Sequence, residues 1–186
     1  MGTEEEWLEG WIEPLRKSPR WGTAVYGEQM SVFYFVNGLH YMVNDVVDGK
    51  KGWKYRSNMG FGYVDCIGGA RFMGQQFFKN SRTLDANIRA TASGIRANNL
   101  SRLEDIDPTA LEEITCGAVL FTLPDKKGKR HMAYYIGSHN GYEHCIIETT
   151  GKGDRMHYAN LEERLYNPET GHGFYEWGEL ACVDYS

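Results

Sequence analysis

The hydrophobic pattern of the chain changes at Asp107-Pro108. Before this point, apolar residues recur mainly at helical spacing. The pattern predicts four helices, over residues 4–17, 29–48 and 82–98 and from Asp65 onward. Beyond Pro108, alternating or short apolar runs predict strands over 117–123, 131–137 and 143–150, then a short helix near 160–166 and a last strand near 179–185. Helices followed by an antiparallel sheet predict the α+β class.

Two polar segments between the predicted strands have the composition of hairpin turns. The first carries the densest group of basic residues, Lys126, Lys127, Lys129 and Arg130. The second contains Asn140-Gly141, a pair that suits two-residue hairpin turns because both residues tolerate a positive φ. We therefore expect consecutive strands in this region to pair with each other.

The length and charge of the chain limit its organisation and partners. A chain of 186 residues fits one compact domain, and we expect 1–50 to be a helical extension packed on a domain of 51–186. The formal net charge of −5 and the scattered basic residues argue against nucleic acid as a partner. The acidic start does not resemble a signal peptide, and the apolar runs are too short for a membrane span, which predicts synthesis in the cytoplasm.

The cysteines and histidines show no metal-site spacing. Four cysteines without a CxxC pair argue against structural zinc, and a disulfide framework is unexpected in a chain with a normal core. Cys145 and Cys182 lie in apolar runs and are predicted to be buried. The histidines apart from His131 show no HExxH or HxxxH spacing, so a catalytic metal is not expected. His139 and His144 flank a predicted turn, where we expect solvent exposure.

Cys66 differs from the other cysteines in its position. It follows a segment, 49–64, that is rich in glycine and aromatic residues, and it lies just inside the predicted helix that begins at Asp65. Unsatisfied N–H groups at a helix N-terminus favour a thiolate and can bind an oxyanion. The alternative is a buried cysteine that acts as a small hydrophobic residue.

A candidate base and a candidate orienting group follow Cys66 in the chain. His131 opens a predicted strand, and Glu148 ends the apolar part of the next one. A thiol nucleophile, an imidazole base and a polar residue that orients the base are the components of thiol acyl transfer. His144 shares a strand face with Glu148 and is a reserve candidate for the third position. Alternatively, His131 is an ordinary strand histidine and Glu148 a carboxylate at a strand end.

These residues carry a family resemblance. FGYVDCIGGARF resembles the cysteine motif of the NlpC-type cell-wall peptidases, a branch of the papain-like superfamily. CGAVLFTL followed by HMAYYIG resembles the family's pair of strands, and IIETTG stands at the position of its third polar residue. The resemblance extends from Gly52 to the C-terminus.

The resemblance implies a fold and an activity. The fold would be papain-like, with the nucleophile helix and other N-terminal helices packed on an antiparallel sheet. The activity would be cofactor-free hydrolysis of an amide bond in peptidoglycan stem peptides, typically between D-Glu and a diamino acid. Tyr55, Tyr63, Asp65 and the backbone N–H of Cys66 would contact the substrate or the oxyanion. A chain made without a signal peptide would reach the wall after lysis or by non-classical release.

Three positions depart from the usual family pattern. Ile67 replaces a serine, Ala118 replaces an aspartate, and Glu148 stands where a histidine is more common. Two alternatives therefore remain open. One is an amidase or another thiol acyl-transfer enzyme on the same fold, and the other is a phage structural or binding module whose site has decayed.

Overall fold

A computed structural model describes residues 29–44, 66, 91–149 and 156–186 of the chain. The predicted helix over 4–17, the segment 49–64 and most of the helix expected from Asp65 lie outside the described residues. No helix in the described ranges is both long enough and apolar enough to cross a bilayer.

A six-stranded antiparallel sheet forms the centre of the described fold. Its strands are β2 (Leu100–Asp105), β3 (Val119–Thr122), β4 (Met132–His139), β5 (Tyr142–Glu148), β6 (His157–Asn160) and β7 (Phe174–Leu180). Their order across the sheet is β2-β7-β3-β4-β5-β6, so β3 to β6 form a meander and β7 is inserted between β2 and β3. All neighbouring strands are antiparallel.

Helices and two very short strands complete the described fold. Helix α1 (Val32–Asn44) follows strand β1 (Met30–Ser31), which pairs in parallel with the C-terminal strand β8 (Val183–Asp184). Helix α2 (Ala92–Asn98) precedes β2. Two short 3₁₀ helices, η1 (Leu111–Glu113) and η2 (Leu161–Arg164), lie before β3 and after β6.

The sheet is buried on both faces, which explains why its central strands have continuous apolar runs. One face packs against α1 and α2 through Phe35, Leu39 and Ile95. The other packs against Leu111 and Leu161 of the 3₁₀ helices. Alternate residues of β4 serve the two faces, and a strand buried on both sides needs apolar residues at every position.

The α+β class is confirmed, and the main strands and turns are confirmed with shifted ends. The strands predicted over 117–123, 131–137 and 143–150 correspond to β3, β4 and β5, and the short helix near 160–166 corresponds to η2. Both hairpins form. Asn140 and Gly141 have φ of 53° and 80°, the positive values that a tight hairpin turn requires.

Several predicted boundaries are wrong. The helix expected over 82–98 does not run through residue 91, because Thr91 is extended and its hydroxyl caps a helix that begins at Ala92. The helix expected over 29–48 begins only at Val32, after β1, and its predicted end lies outside the described residues. The last strand begins at Phe174, five residues earlier than predicted, and a break separates it from β8.

Candidate active site

His131 immediately precedes β4, where the β3–β4 pairing fixes its backbone. Its N–H donates to the Thr122 hydroxyl at 2.8 Å, and its carbonyl accepts from the Thr122 N–H at 3.0 Å. The ring lies 5.6 Å from that of Phe174, centroid to centroid. The imidazole is therefore supported from two neighbouring strands before any catalytic partner is considered.

Strand register brings Glu148 beside His131. Tyr134 pairs with Ile147 across β4 and β5, so Glu148 lies opposite Ala133 and diagonal to His131 on the same face. The Glu148 side chain is only 2% exposed, and its Oε2 lies 3.9 Å from His131 Nε2. This distance is too long for a hydrogen bond. Nε2 is buried and has no hydrogen-bond partner in the described part of the chain, so the carboxylate acts on it mainly through its charge.

Cys66 is linked to the same imidazole through its contribution to the raised pKa of His131. Its carbonyl accepts a hydrogen bond of 2.8 Å from the hydroxyl of Tyr134, a residue of β4 whose ring is almost fully buried. The half-buried Cys66 also packs against the core cluster on the helical side of the sheet. One strand therefore positions both groups, since β4 anchors Cys66 through Tyr134 and begins directly after His131.

The electrostatics of the site favour a protonated His131. Burial by itself would lower the pKa of the imidazole, but the interactions with Cys66 and with the Glu148 carboxylate outweigh it and raise the pKa to about 9. The raised pKa favours the imidazolium form of His131 at neutral pH. The structure thus brings together three residues that the sequence singled out, separated in the chain by 65 and 17 positions.

Two further basic residues lie beside Glu148 and were not singled out from the sequence. His157 lies directly opposite on β6, with its Nε2 3.5 Å from Glu148 Oε1. Arg164 of η2 donates through Nε to the same oxygen at 2.9 Å. Burial would raise the pKa of Glu148, but His131, Arg164 and His157 together lower it, which keeps the carboxylate ionised. His157 could have been found only by predicting strand β6, which places it opposite Glu148. The hydrophobic pattern did not predict that strand.

A cavity of about 510 Å³ opens beside this cluster. His131 and Glu148 line it, and its outer wall comes from η2 and the segment that leads to β7, including Arg164, Asn167 and His172. Neither Nη atom of Arg164 makes a hydrogen bond or ion pair within the described ranges, and the side chain is 42% exposed. The cavity therefore offers space for a ligand beside the imidazole and donors that could bind a ligand oxygen.

The other candidate residues lie elsewhere. The expectation that His144 is solvated is wrong, because it is 8% exposed and its Nδ1 lies 2.8 Å from the Tyr135 hydroxyl. It stands four residues before Glu148 on β5, about 13 Å along the strand, too far to orient His131. Tyr55, Tyr63 and Asp65 lie outside the described residues.

All four cysteines are free thiols, and three of them have environments unsuited to a nucleophile. Cys145 is fully buried, as predicted, and burial raises the pKa of its thiol to about 11. Cys182 is only half-buried as a residue, yet burial of its thiol raises the pKa to about 11. Cys116 is exposed as a residue, although partial cover of its sulfur raises the pKa of the thiol.

Comparisons with known protein families, with curated proteins and with solved structures find no match to this chain.

Proposed function

We propose that the chain is a papain-like cysteine hydrolase of NlpC type that cleaves an amide bond in the stem peptides of peptidoglycan. The observation that carries the proposal is the convergence of Cys66, His131 and Glu148, with an imidazole whose pKa is raised to about 9. A nucleophile, a base and a group that orients the base are the parts that thiol acyl transfer needs. The motif resemblance supplies the substrate class.

The proposed reaction has two steps. Cys66 Sγ attacks the carbonyl carbon of the amide while the His131 imidazolium transfers its proton to the leaving nitrogen. The C–N bond breaks, an amine leaves, and a thioester to Cys66 remains. Neutral His131 then takes a proton from water, whose oxygen attacks the thioester. The carboxylic acid product leaves, and the thiolate and the imidazolium are restored.

Glu148 would stabilise the charged form of His131 in the first step. A carboxylate in this position holds the ring orientation and favours the imidazolium without becoming protonated itself. Arg164 and His157 would keep that carboxylate ionised and fixed in place. His157 acts through Glu148 and is therefore a positioning residue, whereas Arg164 positions Glu148 through Nε and also lines the cavity.

The adjacent cavity is consistent with a peptide substrate. A volume of about 510 Å³ lies within the range of small-molecule sites. Arg164 and Asn167 on its wall are suited to bind carboxylate and amide oxygens, groups that are abundant in stem peptides. Tyr55, Tyr63 and Asp65 remain candidates for further substrate contacts through the resemblance alone.

Thiol labelling tests the nucleophile without knowledge of the substrate. The folded protein is treated with iodoacetamide at pH 7, and the modified cysteines are located by mass spectrometry. We expect Cys66 to react at least about tenfold faster than Cys116, an internal reference whose thiol has a raised pKa. His131→Ala should slow the labelling of Cys66 and leave that of Cys116 unchanged. Equal rates at the two cysteines in wild type would refute Cys66 as the nucleophile.

Digestion of purified muropeptides tests the substrate class. Wild type is compared with Cys66→Ala and with Cys116→Ala, a matched control that removes a thiol elsewhere on the protein. Shortened stem peptides from wild type and from the control, but not from Cys66→Ala, support an endopeptidase. Intact stem peptides released from glycan indicate an amidase instead. Fast labelling of Cys66 without either product would retain the nucleophile and reject peptidoglycan as the substrate.

A further inference from the structure

Three potential metal ligands meet at the end of β5 opposite Glu148. They are the carboxylates of Glu143 and Glu162 and the Nε2 atom of His144. Nε2 lies 4.0 Å from a carboxylate oxygen of Glu143, and the three ligand atoms all lie within 4.8 Å of one another. The cluster joins two separate elements, because Glu143 and His144 begin β5 whereas Glu162 belongs to η2.

His144 has the environment of a metal-binding histidine. Its side chain is 10% exposed, and its Nδ1 is paired with the buried hydroxyl of Tyr135 at 2.8 Å. A protein partner on one ring nitrogen fixes the ring and leaves the other nitrogen to the metal, as in most metal-bound histidines. In the tautomer that leaves Nε2 unprotonated, Nδ1–H donates to the Tyr135 hydroxyl. Nε2 lies 4.0 Å from a carboxylate oxygen of Glu143 and makes no hydrogen bond in the described part of the chain, so it is the nitrogen that is left for an ion.

We propose that Glu143, His144 and Glu162 form a binding site for Zn²⁺. An imidazole nitrogen with two carboxylate oxygens is a ligand set that suits zinc, whereas magnesium and calcium prefer oxygen alone. Ligands about 2.1 Å from a tetrahedral ion lie about 3.4 Å apart, so the cluster needs only a small contraction to bind it. Glu143 is 83% exposed, and the side chain of Glu162 also lies at the surface, so both can move inward.

The bound ion would have a structural role, with water in the fourth position of its tetrahedral shell, because the cluster supplies only three protein ligands. It would link the start of β5 to η2, two residues before Arg164, which holds Glu148. The site lies about 13 Å along β5 from Glu148, too far for the ion to contact the reacting atoms. It would therefore fasten the wall of the cavity to the sheet.

Zinc titration of the full chain, prepared without a polyhistidine tag, tests the proposal. We expect one equivalent to bind to wild type with a rise in the melting temperature. Glu162→Gln should weaken binding at least about tenfold, since even the loss of an outer partner of a ligand costs 10–100-fold. Glu169→Gln removes the same charge from an exposed site outside the cluster and should bind zinc as wild type does. Because both glutamates are exposed, neither substitution threatens the fold.

Cobalt substitution identifies the ligand atoms. A cobalt complex with nitrogen and oxygen ligands lacks the thiolate charge-transfer band that cysteine ligands produce, so its absence supports the site. Equal zinc affinity for Glu162→Gln and Glu169→Gln, or a thiolate band in wild type, would overturn the proposal.

Discussion

Replacement of Glu148 by glutamine tests the electrostatic basis of the candidate site. The substitution preserves the size of the side chain and removes one negative charge that lies 3.9 Å from His131 Nε2. Without that charge the imidazolium loses stabilisation, so His131 should release its proton at lower pH. The expected direction is therefore a decrease from the wild-type pKa of about 9.

The distance and the exposure together set the size of the decrease. Two unit charges 3.9 Å apart interact by about 4 kcal/mol at an effective dielectric constant of 20 and by about 1 kcal/mol in water. The His131 side chain is 34% exposed, so solvent screening places the interaction in the lower half of that range. About 1.4–2 kcal/mol corresponds to a decrease of about 1–1.5 pKa units.

NMR titration of the histidine ring protons measures this change directly. The chain contains six histidines, and the resonance that disappears in His131→Gln identifies His131. We expect a midpoint near 9 in wild type and near 8 or below in Glu148→Gln. Glu169→Gln, which removes an exposed charge, is the control for general effects of net charge.

Two results would refute this reasoning. One is a wild-type midpoint close to the ordinary histidine value of about 6.5, which would mean that burial cancels the effect of the two partners. The other is a midpoint in Glu148→Gln that stays within about 0.3 units of wild type, which would mean that solvent screens the carboxylate almost completely. Thermal unfolding of each variant establishes that the titrations compare folded proteins.

Three further predictions follow from the same contacts. Cys66→Ala should also lower the NMR midpoint of His131, because Cys66 contributes to its raised pKa. An unchanged midpoint would mean that Cys66 and His131 do not interact. Glu176→Gln should lower the free energy of unfolding in urea by about 2–3 kcal/mol, because it removes a buried carboxylate that pairs with two arginines. Hydrogen bonding to Arg96 lowers the pKa of Glu176 from its ordinary value of 4.5, so this loss should be complete at neutral pH. It should begin to shrink below that ordinary value and disappear once the pH falls through the lowered pKa of the folded protein; a loss that persists in acid would contradict the pairing. Gly173→Ala should destabilise the protein by more than Gly171→Ala, measured in the same urea assay. Both glycines have positive φ, which costs about 1 kcal/mol, but only at Gly173 would the methyl group strike a backbone carbonyl, and equal losses would contradict that clash.

The elements that could be predicted are those with a strong local signal. The strand predicted at 131–137 contains a continuous apolar run over 132–136, and Asn140-Gly141 is a strong hairpin signal because both residues accept positive φ. By contrast, β2 has the sequence LSRLED, with exposed residues along most of its length, and lies at the edge of the sheet. Its strand conformation comes from pairing with β7, a partner about 75 residues away, which no local pattern reveals.

The residues of the candidate site also fall into two groups, those that the sequence could identify and those that only the structure revealed. Chemistry and position in the chain singled out Cys66, His131 and Glu148, because few residue types can act as nucleophile, base and orienting group. The partners of Glu148 could not be found in this way. His157 is a partner of Glu148 because of the register between β5 and β6. Arg164 is a partner because η2 packs beside these two strands.

The local pattern of this chain was sufficient for the α+β class, the order of the main strands and a short list of reactive residues, because periodicity and residue chemistry are written along the chain. The local pattern was not sufficient for burial and register, because both depend on which distant segments pair as strands. His144 illustrates the difference. Beside a predicted turn it was expected in solvent, but the pairing of β4 with β5 and the packing of η2 bury it between a tyrosine hydroxyl and two carboxylates. The surroundings of each histidine, and therefore its chemistry, follow from contacts that exist only once the sheet has formed.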